Sequence, residues 1–159
     1  MTAYPDTNVL VRFYLPDLRT ETVNRLVDDY LRRENEALPF TPLHRLEFRN
    51  AIRLAVFRSG QAGEVRLSAP EARQCLQRCE EDIAEGAFLA HQPLDWTEAV
   101  READALSGRF TESGGFRSLD LFHVGAAMSL GTEEFWSFDA GARKLAQLAG
   151  LKVLPARTY

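Results

Sequence analysis

The sequence has little cysteine, almost no lysine, no excess of basic charge and no long apolar run. Its cysteines, Cys75 and Cys79, make no disulfide framework, and no histidine or further cysteine stands at zinc-ligand spacing from them. Four apart on a helical pattern, they share one face and read as small buried hydrophobes in a reducing cytosol. No stretch of about 18 apolar residues occurs, and no basic segment leads into an apolar run at the N-terminus. A cytoplasmic chain without a membrane partner is expected. Lys+Arg number 19 against 23 Asp+Glu, a net charge of −4. That excludes gripping nucleic acid by basic surface alone, unless bound metal neutralises some of the acids. Gly (10) and Pro (7) are too few for a disordered or collagen-like chain, and no repeat or low-complexity segment appears. What is there is globular: 159 residues, 45% hydrophobic and 26% charged, enough for a single domain over 1–159 with a sizeable core.

Taken in order, residues 3–5 predict a short strand that delivers Asp6, with Pro5 at the strand's end because it cannot donate to a ladder. Residues 8–14 read as a short helix stopped at Leu15-Pro16. Over 20–33, Val23, Leu26, Val27, Tyr30 and Leu31 follow helical spacing. A buried strand fits 37–41, and Pro42 opens a helix that runs to about Ser59. Leu43, Glu47, Ala51 and Leu54 fall on one face of it, so Glu47 interrupts an apolar stripe. Ser68-Ala69-Pro70-Glu71 is a capping box opening a helix that turns Ala72, Cys75, Leu76, Cys79 and Ile83 inward. A strand within 87–94, a helix over 97–107, a loop over 109–117 and a helix capped by Ser118 and running to Leu130 follow. The chain closes with a strand over 134–138, a helix over 140–149 and a strand over 152–154. Helices alternating with short apolar strands predict α/β layering about a mainly parallel sheet.

Four acids stand out against this frame: Asp6, Glu47, Asp120 and Asp139, each in apolar surroundings. A carboxylate facing a packed core needs a cation, a donor or water. Each has a bland explanation. Asp139 caps the helix after it, Asp120 pairs with Arg117 one turn away, and an Asp after a strand is commonly a turn residue. These explanations are separate, and they leave unexplained why such acids recur at the same end of successive elements, where parallel sheets bind ligands. Carboxylates gathered within a few ångströms repel one another unless a cation joins them. Oxygen-only donors select hard ions, so Mg²⁺ or Mn²⁺ is expected. Such ions activate water and neutralise charge on a phosphodiester, which points to hydrolysis of a nucleic-acid backbone.

Asp6-Thr7-Asn8-Val9-Leu10-Val11, then Glu47, then Arg117-Ser118-Leu119-Asp120-Leu121-Phe122-His123-Val124-Gly125-Ala126-Ala127, then Ser137-Phe138-Asp139, resembles the PIN-domain nucleases. Within them it resembles the VapC toxins of bacterial toxin–antitoxin pairs. The resemblance implies a three-layer α/β/α sandwich, metal-dependent endoribonuclease activity on RNA, and inhibition by a small antitoxin protein. It places the catalytic acids on Asp6, Glu47, Asp120 and Asp139, with Asp6, Asp120 and Asp139 on metal, and supporting polar roles on Asn8 and Ser137. Arg117 joins the supporting set as an ion-pair partner or a phosphate contact. A homodimer is expected. Pro5 departs from the aliphatic residue usual before the first acid, and 141–144 lacks the further acid of some relatives. The chain is long for the group, with the excess around 60–70 and 108–116.

Alternatives come from other classes. One is a PIN-fold nuclease of RNA processing; another is an interaction module without activity, which the full set of acids disfavours. A haloacid-dehalogenase-like phosphatase needs a second Asp two residues after the first, where this chain has Asn8, and a suitably placed lysine, where it has only Lys144 and Lys152. His123, among Leu119, Phe122 and Ala126-Ala127, reads as a packed histidine. Trp136 reads as core, and Trp96 is open between core and base stacking. Phe48, Ile52, Val56 and Phe57 lie off the Glu47 stripe, either packed on neighbouring helices or lining a groove for an amphipathic partner helix.

Overall fold

The computed structural model describes residues 2–15, 20–59 and 67–156. Its elements run β1 (Ala3–Pro5), α1 (Thr7–Tyr14), α2 (Thr20–Glu34), β2 (Leu38–Phe40), α3 (Pro42–Arg58), α4 (Ala69–Glu85) and β3 (Leu89–His91). There follow α5 (Trp96–Gly114), α6 (Ser118–Ser129), β4 (Glu134–Trp136), α7 (Ala140–Leu148) and β5 (Lys152–Leu154). The stop at Pro16 and most of the stretch expected to loop over 60–70 lie outside the described residues. The chain divides into two compact units, one holding residues 1–9 and 93–159 and the other residues 10–92. Among the described residues no helix is long and apolar enough to cross a membrane.

Every strand pair is parallel, as the alternation of helices and strands predicts. In the first unit β1, β4 and β5 lie in that order, with Tyr4 opposite Phe135 and Phe135 opposite Val153. β1 and β4 are wholly buried, which is why they read as unbroken apolar runs. Glu134 is the exception: a fully buried carboxylate on β4, it takes the Lys152 ammonium at 2.8 Å and the Trp136 indole N–H at 3.1 Å. Tyr4 stacks on Phe135 and bonds the His123 ring through its hydroxyl at 3.0 Å, so His123 is a packed histidine and Trp136 a core residue.

In the second unit β2 and β3 pair, Leu38 opposite Leu89 and Phe40 opposite His91. α2 buries Val23, Val27 and Tyr30, and α4 buries Ala72, Cys75 and Cys79. Burial pushes both thiols up, Cys79 to about 12, so neither is a nucleophile. The Tyr14 hydroxyl donates to Asp82 at 2.5 Å, and its own pKa is raised, first by burial. The Ser68–Glu71 capping box is present as predicted. A second one opens α3, where Thr41 caps the His44 N–H and the His44 ring accepts from the Thr41 N–H at 3.0 Å.

Three expectations are corrected. The helix predicted over 97–107 continues to Gly114, so most of the predicted loop over 109–117 is helix. Residues 109–113 contain no breaker, a lone Gly108 is tolerated within a helix, and the glycine pair acts as a stop. Gly115, at φ 65°, donates back to Thr111. Gly114 lies where a Cβ would strike the buried Phe116 ring at 2.3 Å. Next, α6 is not capped by Ser118: Arg117 is the N-cap residue and makes no side-chain cap bond. Last, α3 buries Leu43, His44, Phe48 and Ile52, while Leu54 is exposed. The stripe through Glu47 is therefore not the core face, and Phe48 and Ile52 are core residues unable to serve as partner anchors.

α5 and α6 pack closely enough that a Cβ on Gly125 would stand 2.6 Å from the Ala99 carbonyl oxygen and 2.8 Å from the Ala103 nitrogen. Both neighbours are backbone and cannot rotate away. Gly125→Ala should therefore cost about 1–3 kcal/mol despite alanine's better helix propensity. Urea unfolding checks this, and a variant as stable as the parent would show that the helices separate freely.

Candidate active site

The first unit brings two of its acids together and ties the third to them. β1 ends at Pro5, and the Asp6 N–H closes the β1–β4 pairing by donating to the Trp136 carbonyl at 2.7 Å. That bond sets Asp6 beside the segment following β4. The Ser137 hydroxyl, fully buried, donates to Asp6 Oδ2 at 2.7 Å. It accepts from the Asn8 amide at 3.0 Å and from the Asp139 backbone N–H at 3.0 Å. The Asn8 amide also donates to Asp6, and its carbonyl oxygen accepts from the Phe138 N–H at 3.0 Å. Asn8 is thus used at both ends. An aspartate at this position would have no N–H to give either neighbour, which is how the structure departs from a phosphatase-like acid pair.

Asp139 caps α7 through Oδ1, accepting from the Ala142 N–H at 3.0 Å, so the bland reading of this residue is correct as far as it goes. Its Oδ2 faces elsewhere, taking the Arg117 guanidinium at 3.1 Å. The same guanidinium reaches Asp120 through Nε at 3.0 Å and a second nitrogen at 3.3 Å. The Asp120 and Asp139 carboxylates raise the Arg117 pKa, Asp120 first by hydrogen bond and then by charge. Gly141 shows how closely the acids meet: a Cβ there would lie 3.1 Å from Asp139 Oδ1 and 3.6 Å from Asp120 Oδ2. Any side chain at 141 would press on the space between two carboxylates. The remaining acid, Glu47, is half-buried on α3 in the other unit. Its neighbours Arg45 and Arg49 both pair with Glu80 on α4, at 2.8 and 3.0 Å.

Arg143 was not singled out by sequence reasoning. Its guanidinium donates to the Ser137 carbonyl and the Pro155 carbonyl, each at 2.7 Å, fixing the backbone that carries Ser137. The spacing of Arg143 after Asp139 held no signal for this, because both acceptors are main-chain oxygens. Trp96 is half-exposed and lies against Phe122, with ring centres 5.5 Å apart.

These donors suit a hard divalent cation in kind: carboxylates, an amide and a hydroxyl, with no sulfur and no imidazole. The cradle over Gly141 suits it in space. Among the described residues, no three His, Cys, Asp or Glu side chains are arranged as they stand to hold one ion. Two carboxylates converge under Arg117, and Asp6 is joined to the Asp139 backbone through Ser137.

No family model and no curated protein matches the sequence. Solved structures do match its fold. The chain aligns over 96% of its length with 96% of a chain of FitAcB from Neisseria gonorrhoeae, at a TM-score of 0.64 and 16% identity. It aligns with VapBC2 from Rickettsia felis, bound to a DNA fragment from their promoter, at a TM-score of 0.65 and 11% identity, covering 96% of this chain and 97% of that one. It also aligns with VapC20 from Mycobacterium tuberculosis, a toxin that cleaves the sarcin–ricin loop, at a TM-score of 0.58 and 12% identity over 94% and 96% of the two chains. The chain has the α/β PIN fold of these proteins over nearly its whole length, and its resemblance to VapC-type PIN domains is one of three-dimensional structure.

Ser137→Ala should cost about 1–3 kcal/mol, because it takes one donor from the Asp6 carboxylate and removes the hydroxyl to which the Asp139 N–H donates. Asp139→Ala should cost about 0.5–2 kcal/mol through loss of the cap, whereas Asp139→Asn should be nearly neutral. Thermal or urea unfolding distinguishes them, and equal losses for Ala and Asn would refute the capping role.

Proposed function

We propose that this chain is a divalent-metal-dependent endoribonuclease of the VapC type, the toxin of a bacterial toxin–antitoxin pair. The observation that carries the reading is the meeting of Asp120 and Asp139 over Gly141, beside the Asp6–Asn8–Ser137 network. It occurs in a chain with the fold of a toxin that cleaves the sarcin–ricin loop. Asp6, Asp120 and Asp139 are the residues that would hold Mg²⁺ or Mn²⁺, which would activate water and offset negative charge on the phosphodiester. Ser137 and Asn8 orient the Asp6 carboxylate, and Ser137 also fixes the Asp139 backbone. Glu47 enters as the fourth acid on the resemblance alone.

The partner proposed is a small antitoxin, in keeping with the complexes among the structural neighbours. With Phe48 and Ile52 in the core, the surface offered to an amphipathic helix is the exposed face of α3. There Leu46 and Phe57 are 68% and 70% exposed and Leu54 is 37% exposed. A homodimer and an RNA substrate complete the proposal.

Purified chain should cleave an RNA oligonucleotide carrying the sarcin–ricin loop, or total RNA, in Mg²⁺ or Mn²⁺, and EDTA should stop it. Asp6→Asn and Asp120→Asn should reduce cleavage to background while circular dichroism and unfolding midpoints stay near the parent's. Asn8→Ala should reduce cleavage about 10- to 100-fold, as expected for a group that orients a ligand. Wild-type rates from either Asp variant, or cleavage in excess EDTA, would overturn the mechanism.

For the partner, Leu46→Asp with Phe57→Asp should abolish copurification with the protein encoded beside this chain while leaving RNA cleavage intact. Undiminished copurification would move the partner surface away from α3.

A further inference from the structure

Arg117 is placed oddly for a structural ion pair. It stands at the N-cap of α6 yet makes no side-chain cap bond. Its side chain is 70% exposed, while the Asp120 side chain under it is 13% exposed. The planar fork spans two carboxylates from different elements, touching both oxygens of Asp120 and Oδ2 of Asp139. We propose that Arg117 is a built-in stand-in cation: it closes the Asp120–Asp139 pair and must be displaced before a divalent ion takes those oxygens, so that it sets the metal concentration at which the site loads. The inference rests on the metal-nuclease reading above.

The physical argument has three parts. Carboxylates that share the space over Gly141 repel one another, and a cation must offset that repulsion in the metal-free chain. Arg117 does so, and the two carboxylates hold its charge in return, raising its pKa. A guanidinium engaging both Asp120 oxygens competes directly with a metal for the same lone pairs. Finally, the pairs are reversible, because the guanidinium lies on the surface, where water replaces its contacts at little cost. A buried arginine would lock the site, whereas this exposed one gives way to a doubly charged ion. Two exposed ion pairs of ordinary strength together shift a binding constant by about three- to tenfold.

The test is a Mn²⁺ titration of the full chain, followed by the electron paramagnetic resonance signal of free Mn²⁺, for the wild type, Arg117→Ala, Arg117→Lys and Asp120→Asn. Arg117→Ala should bind Mn²⁺ about three- to tenfold tighter than the wild type. Lysine keeps the charge but cannot fork both carboxylates, so Arg117→Lys should fall between them. Asp120→Asn should lose the binding, showing that the titration reads this site. Thermal unfolding in EDTA should show all four chains folded, with a larger Mn²⁺-induced rise in midpoint for Arg117→Ala than for the wild type. Wild-type or weaker affinity in Arg117→Ala overturns the inference while leaving the metal reading in place, and would return Arg117 to the role of a phosphate contact or a rigid prop. Absence of binding in every chain overturns the metal reading itself.

Discussion

The parallel pairing of β1 with β4 is the constraint from which the site follows. Both strands are three residues long and wholly buried, so their backbone groups must find each other or go unpaired. The Asp6 N–H extends that ladder by one bond, to the Trp136 carbonyl. Once it is made, the residues just past the ends of the two strands have little freedom. Asp6 lies within reach of a hydroxyl 131 positions later in the chain. Polar side chains cluster there because the strands stop there, and the buried Ser137 hydroxyl is satisfied as both donor and acceptor.

Ser137 and Arg117 divide the work of holding three carboxylates. Ser137 acts from below, joining the Asp6 side chain to the Asp139 backbone. Arg117 acts from the solvent side, joining Asp139 to Asp120. The first set rests on a buried, uncharged hydroxyl and suits permanent geometry. The second is exposed and charged and suits exchange with solvent ions. Asp139 belongs to both sets, with one oxygen committed to capping α7 and the other turned to the guanidinium. That double use explains why its position looked like an ordinary cap.

Much of this was legible in the sequence, and the reasons differ from element to element. The strands at 3–5 and 152–154 and the capping box at Ser68 carry local signals, and all three are where those signals put them. The loop expected over 109–117 failed because Gly-Gly says where a helix ends and not whether the preceding residues are helical. The face of α3 failed because helical spacing alone does not choose between two apolar stripes. The Thr41–His44 capping box fixes the start of that helix, and it went unread because histidine in place of Glu or Gln is outside the usual pattern. At the site, Asp6, Asn8, Ser137 and Asp139 could be named from their order in the chain. That Asn8 bonds at both ends, and that Gly141 leaves room for two carboxylates, depends on distances no spacing encodes.

The near-absence of lysine gains a meaning at this point. Arg117 spans two carboxylates, Arg143 spans two carbonyls, and Arg45 meets both oxygens of Glu80. Arg117 and Arg143 use two nitrogens of the planar fork to tie together separate acceptors, while Arg45 meets its carboxylate through a single nitrogen. Lys152, by contrast, meets the Glu134 carboxylate as a point charge at one oxygen. The chain carries a net charge of −4, and these arginines among the described residues are engaged in such bridges. A chain of net negative charge repels a polyanion at long range, so attraction to RNA would depend in part on what neutralises the acids. On the metal-nuclease reading, the charge at Asp120 and Asp139 would bear on substrate encounter as well as on chemistry. A divalent ion in place of the guanidinium would add two positive charges at the mouth of the site, since the displaced arginine stays on the chain and would be left to face a phosphate backbone.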